Sequence, residues 1–261
     1  MNLEMERIAL LADRLHLPQL TANLPLLAEE AARKEQSYSE FLLGLLEEEV
    51  RAADVRAQEM MLRLASFPFR RTLEDFDFSF QPSVGQKQLR ELASCAYVER
   101  AENVILLGPP GVGKTHLAVA LGLAAIGKRL HVKFTTVAAM VAVLTQALKA
   151  GTYPARLRTY LRPSVLILDE IGFLPLEAGQ ASLLFEVISR RYERGSIVLT
   201  SNKSYGEWAE IFSGDEVIAT AMLDRLLHHA TTITIKGQSY RLKDKQRAGL
   251  VARRKENKEG E

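Results

Sequence analysis

Apolar residues in the first part of the chain recur at the spacing of one face of a helix. The periodic positions are Leu3, Ile8, Leu11 and Leu15. Ser37 followed by Glu40 has the pattern of a capping box at a helix start, and the leucine- and glutamate-rich run behind it favours one long helix to about Leu64. Two prolines, Pro18 and Pro25, are expected to break the region before that helix. The pattern predicts a small all-α domain over residues 1–66.

Residues 67–85 have a different character. Three phenylalanines alternate with polar residues there, at Phe76, Phe78 and Phe80. Alternate side chains of an extended segment point to the same side, so we expect these rings to lie against the domain that follows. The segment is predicted to be an extended linker.

Short apolar runs and helical patterns alternate from Gln86 onward. The predicted strands are Asn103–Leu107, His131–Thr135, Val165–Leu168, Ile197–Thr200 and Thr231–Ile235. The predicted helices are Lys114–Gly127, Val137–Ala150, Ala178–Arg194 and Glu216–His229. This alternation is typical of a parallel sheet with helices on both faces. The sequence predicts an α/β domain with a five-stranded parallel sheet over residues 86–240, followed by a tail at 241–261.

The composition is that of a globular protein. Of the 261 residues, 47% are apolar and 25% are charged. The sequence contains no run of 18 uncharged residues, which is the length that a membrane-crossing helix needs. The first 30 residues mix acids and bases with leucines, unlike an export signal. Cys95 is the one cysteine, which excludes an internal disulfide and fits a cytoplasmic protein. No zinc-binding pattern is expected between it and His116, His228 and His229.

Charge is distributed unevenly, although the net charge is only +2. Residues 1–66 contain 12 acidic and 7 basic side chains, a difference of 5 negative charges. Residues 236–261 contain 9 basic and 4 acidic ones, a difference of 5 positive charges. A basic tail beside a folded domain is able to contact the phosphate backbone of a nucleic acid. More often, such a tail only keeps the protein in solution.

A phosphate-binding motif follows the first predicted strand. Its residues are Gly108, Pro109, Pro110, Gly111, Val112, Gly113, Lys114 and Thr115, with His116 next to them. In such a loop, glycines let successive N–H groups point at phosphate oxygens, the lysine neutralises the β- and γ-phosphates, and the threonine hydroxyl is a ligand of Mg²⁺. The motif predicts a site for ATP and Mg²⁺. Part of residues 67–85, which we call the aromatic segment, would then form a wall of the adenine pocket. The alternative is that its rings only pack against the domain that follows.

Polar side chains end two other predicted strands. Asp169 and Glu170 follow one, and Asn202 follows the next. Ligands of an open α/β sheet bind at the carboxyl ends of its strands. We therefore expect Asp169 to reach the metal ion, Glu170 to orient or deprotonate a water, and Asn202 to contact the γ-phosphate or that water. With Lys114, these residues predict an ATPase.

Longer stretches around these motifs resemble the IstB-like ATPases, AAA+ proteins that accompany a transposase in bacterial insertion sequences and are related to the DnaC-type helicase loaders. The stretches are FPFRRTLEDFDF, NVILLGPPGVGKTHLA, LILDEIGFLPL, ISRRYERGSIVLTSN, EW, LDRLLHH and GQSYRL, within about residues 66–243. The resemblance implies ATP-dependent assembly on double-stranded DNA, target-site selection and stimulation of a partner transposase. Two alternatives stay open: a replicative helicase loader, and an adaptor that binds ATP with negligible turnover.

The resemblance also implies that a neighbouring subunit of a homo-oligomer completes each ATP site with an arginine. Arg225 matches the position of that arginine in the helicase-loader relatives. A second candidate group is Arg190, Arg191 and Arg194. Only 26 residues follow Ile235, too few for the helical lid that many AAA+ relatives carry. We expect no C-terminal lid domain and assign no lid arginine.

The candidate DNA contacts lie after the second predicted strand, where initiator-type AAA+ relatives insert helical structure that contacts nucleic acid. They are Lys149, Tyr153, Arg156 and Arg158, with Tyr160 beside them. Cations with interleaved aromatic rings suit a surface that follows a phosphate backbone, and a solvated face is the alternative. Without a base-reading element, weak sequence preference is expected.

Overall fold

The computed structural model describes residues 3–173 and 175–240. Contacts divide the chain into two compact units, Met1–Met60 and Met61–Glu261. The predicted basic tail, residues 241–261, lies outside the described residues. Among the helices that the structure describes, none is both long enough and apolar enough to cross a membrane.

The first unit consists of helices α1 (Leu3–Arg14), α2 (Pro18–Arg33) and the larger part of α3 (Tyr38–Ala65). The predicted capping box is confirmed: the Ser37 N–H donates to Glu40 Oε2 at 2.8 Å, and the Glu40 N–H donates to Ser37 Oγ at 3.3 Å. Pro18 is the first residue of α2, where no N–H is needed. The prediction that Pro25 breaks the chain is wrong, because α2 continues past it despite the loss of one N–H donor.

Glu49 closes the N-terminus of α2. Its residue is 5% exposed, and the carboxylate accepts the N–H groups of Gln19 and Leu20 at 2.7 and 3.1 Å. Arg56 donates to the same carboxylate at 3.0 Å. Burial alone would raise the pKa of Glu49, but these donors and the charge of Arg56 lower it overall. The first turn of α2 thus has an acceptor for N–H groups that a helix start leaves unpaired.

The aromatic segment that follows α3 folds in successive turns, so the prediction of an extended linker is wrong. Aspartates explain the turns, because short carboxylates accept nearby backbone N–H groups. Asp75 accepts the N–H of Thr72 at 2.7 Å. Asp77 accepts the N–H of Phe80 at 3.1 Å. The expectation that the segment lies against the following domain is confirmed for Phe76, which is 5% exposed and belongs to the core.

Five parallel strands form one sheet in the order β2-β3-β4-β1-β5, which confirms the predicted α/β architecture. The strands are β1 (Asn103–Leu107), β2 (Val132–Thr136), β3 (Val165–Ile171), β4 (Ser196–Ser201) and β5 (Ala230–Thr234). The helices are α4 (Gln86–Ala93), α5 (Ala96–Glu99), α6 (Lys114–Gly127), α7 (Val137–Lys149), α8 (Tyr153–Leu161), α9 (Ala178–Arg191), α10 (Trp208–Ile211) and α11 (Glu216–Leu227). No helical lid follows β5 within the described part of the chain.

Each face of the sheet has its own apolar core. Successive residues of a strand point to opposite faces, and β1 divides accordingly: Ile105 packs in one cluster, Val104 and Leu106 in the other. Helices α7 to α11 cover the first cluster, and α4 to α6 cover the second. The sheet is therefore buried on both faces, which leaves its strand ends as the places where polar side chains can collect.

Arg191 holds the ends of β3 and β4 where these strands begin. It is 2% exposed, and burial lowers its pKa to about 10. Its guanidinium donates to five carbonyl oxygens at 2.9–3.2 Å, those of Tyr160, Leu161, Pro163, Ser164 and Ser196. A buried cation of this kind is structural, because the donors of its two terminal nitrogens, Nη1 and Nη2, are already used inside the fold.

We expect Arg191→Leu to lower the free energy of unfolding by about 3 kcal/mol or more, because five carbonyl oxygens lose a donor. Urea unfolding followed by the fluorescence of Trp208, the one tryptophan and fully buried, measures this loss. The control is Arg190→Leu, which removes an exposed ion pair with Glu186 and should cost less than about 1 kcal/mol. Equal losses in the two variants would contradict the role of Arg191.

Candidate nucleotide-binding site

The predicted phosphate loop joins β1 to the start of α6. Gly113 precedes α6 with a φ of 102°, and a Cβ there would lie 2.7 Å from the ring of Phe76. A side chain is excluded both by the left-handed backbone and by the ring. Val112 is fully buried. The loop is therefore fixed on its inner side by the core and curls with its backbone around the start of α6.

The side chain of Lys114 folds back over the phosphate loop. Its Nζ donates to the carbonyl oxygens of Gly108 and Pro109 at 2.6 and 2.8 Å. These contacts place a positive charge at the N-terminus of α6, where a helix already favours anions. The arrangement fits a phosphate group that the lysine and the loop N–H groups would bind together.

Asp169 forms the centre of a buried network at the carboxyl edge of the sheet. Its residue is 3% exposed. The Thr115 hydroxyl donates to its two oxygens at 3.0 and 3.1 Å, and the Thr200 hydroxyl donates to Oδ1 at 2.6 Å. A carboxylate and a threonine hydroxyl side by side are oxygen ligands of the kind Mg²⁺ prefers. The predicted pair of metal ligands is thus brought together by α6 and β3.

Thr200 was not predicted as a site residue. Besides its bond to Asp169, its Oγ1 accepts the N–H of Glu170 at 2.9 Å. It ends a predicted strand, but only the strand order places β4 beside β3. That order is not readable from a local motif, so the sequence offered no signal beyond a polar residue at a strand end.

Glu170 is turned toward solvent by an irregularity in β3. Its φ is 61°, in the left-handed region, and the pairing of β3 with β4 shifts register between Leu168 and Ile171. Such a conformation costs a non-glycine residue free energy and is often retained at functional sites. The consequence is that Asp169 stays buried while the next carboxylate is exposed beside Asn202, which lines the same cleft.

A cleft of about 560 Å³ joins these groups. The predicted residues that line it are Pro110, Gly111, Gly113, Lys114, Thr115, His116, Glu170 and Asn202. The lining residues that were not predicted as site residues are Phe69, Arg71, Asp75, Phe76, Asp77, Phe173, Thr200 and Tyr240. The cleft thus has a polar end, with Glu170, Thr200 and Asn202, and an end rich in aromatic rings, where Asp75 and Asp77 also lie.

His116 connects the phosphate loop helix to the aromatic segment. Its Nε2 lies 2.8 Å from the carbonyl oxygen of Thr72. Its ring meets the ring of Phe76 edge-on at 5.4 Å between centroids and that of Phe69 at 6.4 Å. The interpretation that part of this segment walls a nucleotide pocket remains a prediction, and these contacts are consistent with it.

Arg225 lies apart from the cleft of its own chain. Its Nη1 donates to the carbonyl oxygen of Ala221 at 2.8 Å, and its guanidinium lies 4.7 Å from the ring centre of Phe185. Within the second candidate group, Arg191 is occupied inside the fold and Arg190 pairs with Glu186 at 2.9 Å. The buried position excludes Arg191 as a group donated to a neighbouring site.

The candidate DNA contacts lie on α7 and α8. Lys149, Arg156 and Arg158 are exposed. The Tyr153 hydroxyl donates to Glu186. Burial, and to a smaller extent this hydrogen bond, raises the pKa of Tyr153 to about 12. Tyr160 is 6% exposed within the core. The cations are accessible, as both the DNA interpretation and the solvated-face alternative require, but Tyr160 offers no ring face to a ligand.

The histidines near β5 form a cluster that the sequence did not indicate. His228 Nδ1 and His229 Nε2 lie 3.9 and 3.7 Å from Glu193 Oε1. All three side chains are exposed. Cys95, the cysteine that was not expected to bind zinc with these histidines, is buried. Glu193 is distant in sequence, which is why the grouping could not be read from spacing.

The sheet order and the phosphate loop define the class of protein: a P-loop nucleotide-binding protein of the AAA+ type. The structure is similar to that of the DnaC helicase loader, with 26% identity and a TM-score of 0.50 over 57% of this chain and 87% of that one. It also shares its fold with AMPPCP-bound DnaA from Aquifex aeolicus, with 21% identity and a TM-score of 0.53 over 72% of this chain and 58% of that one.

The sequence comparisons place the chain more closely. Residues 10–248 match the model of the IstB-like ATP-binding protein family. The IS21 insertion-sequence ATP-binding protein of Pseudomonas aeruginosa is 49% identical over 95% of this chain and 94% of its own length. The corresponding IS5376 protein of Geobacillus stearothermophilus is 46% identical over 92% and 96%. The chain belongs to the IstB-like ATP-binding family, as the resemblance indicated.

Proposed function

We propose that this protein is an ATP-hydrolysing regulator of transposition that assembles on duplex DNA and stimulates a partner transposase. The observation that carries the catalytic part is the network of Asp169 with the hydroxyls of Thr115 and Thr200, next to the exposed carboxylate of Glu170. The insertion-sequence proteins similar to this chain support the transposition part.

The side chains at the phosphate loop and at the carboxyl ends of β3 and β4 have separate roles in the proposed hydrolysis. Lys114 would bind the β- and γ-phosphates, and Thr115 and Asp169 would hold Mg²⁺. The metal ion, when bound, supplies positive charge where phosphate charge develops. Glu170 orients the attacking water and accepts its proton. Asn202 contacts the γ-phosphate or that water through its amide.

The remaining positive charge would come from a neighbouring copy in a homo-oligomer. Loose phosphoryl transfer depends on placed cations, and an arginine donated in this way stabilises the charge of the transition state. Arg225 is our assignment, because it is partly exposed on α11 and does not line the cleft of its own chain. Its stacking on Phe185 would hold the guanidinium in a fixed direction.

DNA would bind along the exposed cations of α7 and α8, with the basic tail as a further contact. Lys149 ends α7, and Arg156 and Arg158 lie on α8. Phosphate contacts of this kind attract any duplex sequence. A replicative helicase loader is the second candidate, favoured by the similarity to the DnaC helicase loader. A pull-down in which a replicative helicase is captured in preference to the transposase would support it instead.

Replacing Glu170 by glutamine should lower the rate of ATP hydrolysis by about 100-fold or more, while ATP still binds, because the amide cannot accept the proton of the water. Steady-state phosphate release and fluorescent-nucleotide titration measure the two effects. The control is Glu193→Gln, since Glu193 also has a left-handed backbone, with a φ of 56° against 61°, but lies outside the cleft lining. Unchanged hydrolysis in the Glu170 variant would favour an adaptor without turnover.

Mixing two inactive variants tests whether sites are shared between subunits. Arg225→Ala alone and Glu170→Gln alone should each hydrolyse ATP slowly. In the mixture, a subunit that lacks Arg225 keeps its glutamate and can receive the arginine of a Glu170→Gln neighbour, so activity should rise above that of either variant. No recovery, with both variants still assembling in light scattering, would remove Arg225 from this role. Arg190→Ala serves as the control and should stay active alone.

Replacing Lys149, Arg156 and Arg158 together by alanine should weaken binding to duplex DNA and lower the slope of log affinity against log salt by about 3. Fluorescence anisotropy at several salt concentrations measures both quantities. The control removes three exposed cations of the acidic first unit, Arg14, Arg33 and Lys34. An unchanged slope in the first variant, or an equal change in both, would contradict the assigned DNA surface.

A further inference from the structure

The five residues after Ile235 cross the phosphate loop, and we name residues 236–240 the C-terminal strap. The N–H of Ile235 donates to the Leu107 carbonyl at 2.7 Å, and the N–H of Tyr240 donates to the Gly111 carbonyl at 2.9 Å. Gly111 has a φ of 83°, and a Cβ there would lie 2.1 Å from Ser239 Oγ. The loop and the strap are in direct backbone contact, with no room for a side chain between them.

The other side of the C-terminal strap is fixed by the aromatic segment. The Gln81 amide donates to the Gln238 carbonyl at 2.9 Å, and Gln81 is fully buried. Ser83 Oγ donates to the carbonyl of Lys236 and accepts its N–H, each at 2.9 Å. These bonds hold the strap between the phosphate loop and the turns that precede α4, so its position is built into the fold.

The ring of Tyr240 is positioned by these neighbours. It lies 4.3 Å from the ring of Phe80 between centroids, tilted by 59°, and its hydroxyl donates to the Asp77 carbonyl at 3.3 Å. The residue is partly buried and lines the cleft. A tyrosine held at both its backbone and its hydroxyl loses little further freedom when a flat ligand packs on it.

The two ends of the cleft differ in chemistry. Lys114, Thr115 and Glu170 lie at the polar end. At the other end, Tyr240 faces the same space as Phe76, and Phe76 contacts the ring of His116 at 5.4 Å. Aromatic side chains suit the faces of a nucleobase, since stacking is favourable for any base. A nucleotide with its phosphates in the loop would place its base at this aromatic end.

We propose that Tyr240 contacts the base of the bound nucleotide and that the C-terminal strap closes this end of the cleft. The inference rests on the proposed function, because it requires the triphosphate to lie in the phosphate loop. The described residues contain no helical lid after β5, and in this proposal the C-terminal strap closes the cleft instead. Lys114 and Tyr240 then bind separate parts of one ligand, the phosphates and the base.

Comparing ATP with inorganic tripolyphosphate tests this assignment, because only ATP carries a base. In the full-length protein with Mg²⁺, Tyr240→Ala should weaken ATP binding about 10-fold, or about 1.4 kcal/mol, in isothermal titration calorimetry. Its affinity for tripolyphosphate should stay within about 2-fold of wild type. Tyr240→Phe keeps the ring and should bind ATP nearly as wild type does. Tyr38→Ala, at a tyrosine 94% exposed on α3, is the control and should change neither affinity.

Other outcomes overturn the assignment in distinct ways. Equal losses for both ligands would mean that the C-terminal strap acts only on the phosphate loop. Unchanged or tighter ATP binding would mean that Tyr240 does not contact the base. If Tyr240→Ala fails to fold by circular dichroism, Tyr240→Leu keeps an apolar side chain without a ring and should show the same selective loss. A wild-type protein that binds neither ligand would instead contradict the proposed function.

Discussion

The buried carboxylate of Asp169 is the group on which the candidate site depends. A charged group removed from water is costly unless hydrogen-bond donors surround it. The hydroxyls of Thr115 and Thr200 supply them, one from the start of α6 and one from the end of β4. The network therefore fixes the distance between the phosphate loop and the two strands that carry the acids. The stability of this part of the fold and the geometry of its site have the same origin.

The two ends of the strands are used differently. Where β3 and β4 begin, Arg191 donates to five carbonyl oxygens and is inaccessible. Where they end, Glu170 takes a left-handed conformation and Asn202 is exposed. At the starts of these strands the polar groups are paired within the chain, and at their carboxyl ends the side chains of Glu170 and Asn202 are accessible to a ligand. This division follows the rule that ligands of open parallel sheets bind at the carboxyl ends of strands.

Features encoded by neighbouring residues could be predicted, and features that depend on distant residues could not. The helix after the phosphate loop has its predicted bounds, Lys114–Gly127, because the glycine-rich turn and the apolar run define them locally. Thr200 was missed because its partner Asp169 is 31 residues away and the strand order is needed to join them. The aromatic segment folds in turns, unlike the predicted extended linker, because the side chain of Asp75 competes for backbone N–H groups. Tyr160 lies in the core and not on the predicted surface; spacing alone does not tell which face of α8 is buried.

The described part of the cleft has an uneven supply of positive charge. Lys114 lies at the phosphate loop, and Arg71 is the one arginine that lines the cleft among the described residues, close to the ring of Phe69. Arg71 belongs to the aromatic segment, and its guanidinium lies 5.9 Å from the ring centre of Phe69. A reaction that spreads charge over the γ-phosphate needs a cation near Glu170. A neighbouring subunit could meet that need, since Arg225 is held by its own helix and by Phe185 at a distance from its own cleft. Under the proposed function, hydrolysis would then depend on assembly, and DNA that promotes assembly would promote hydrolysis.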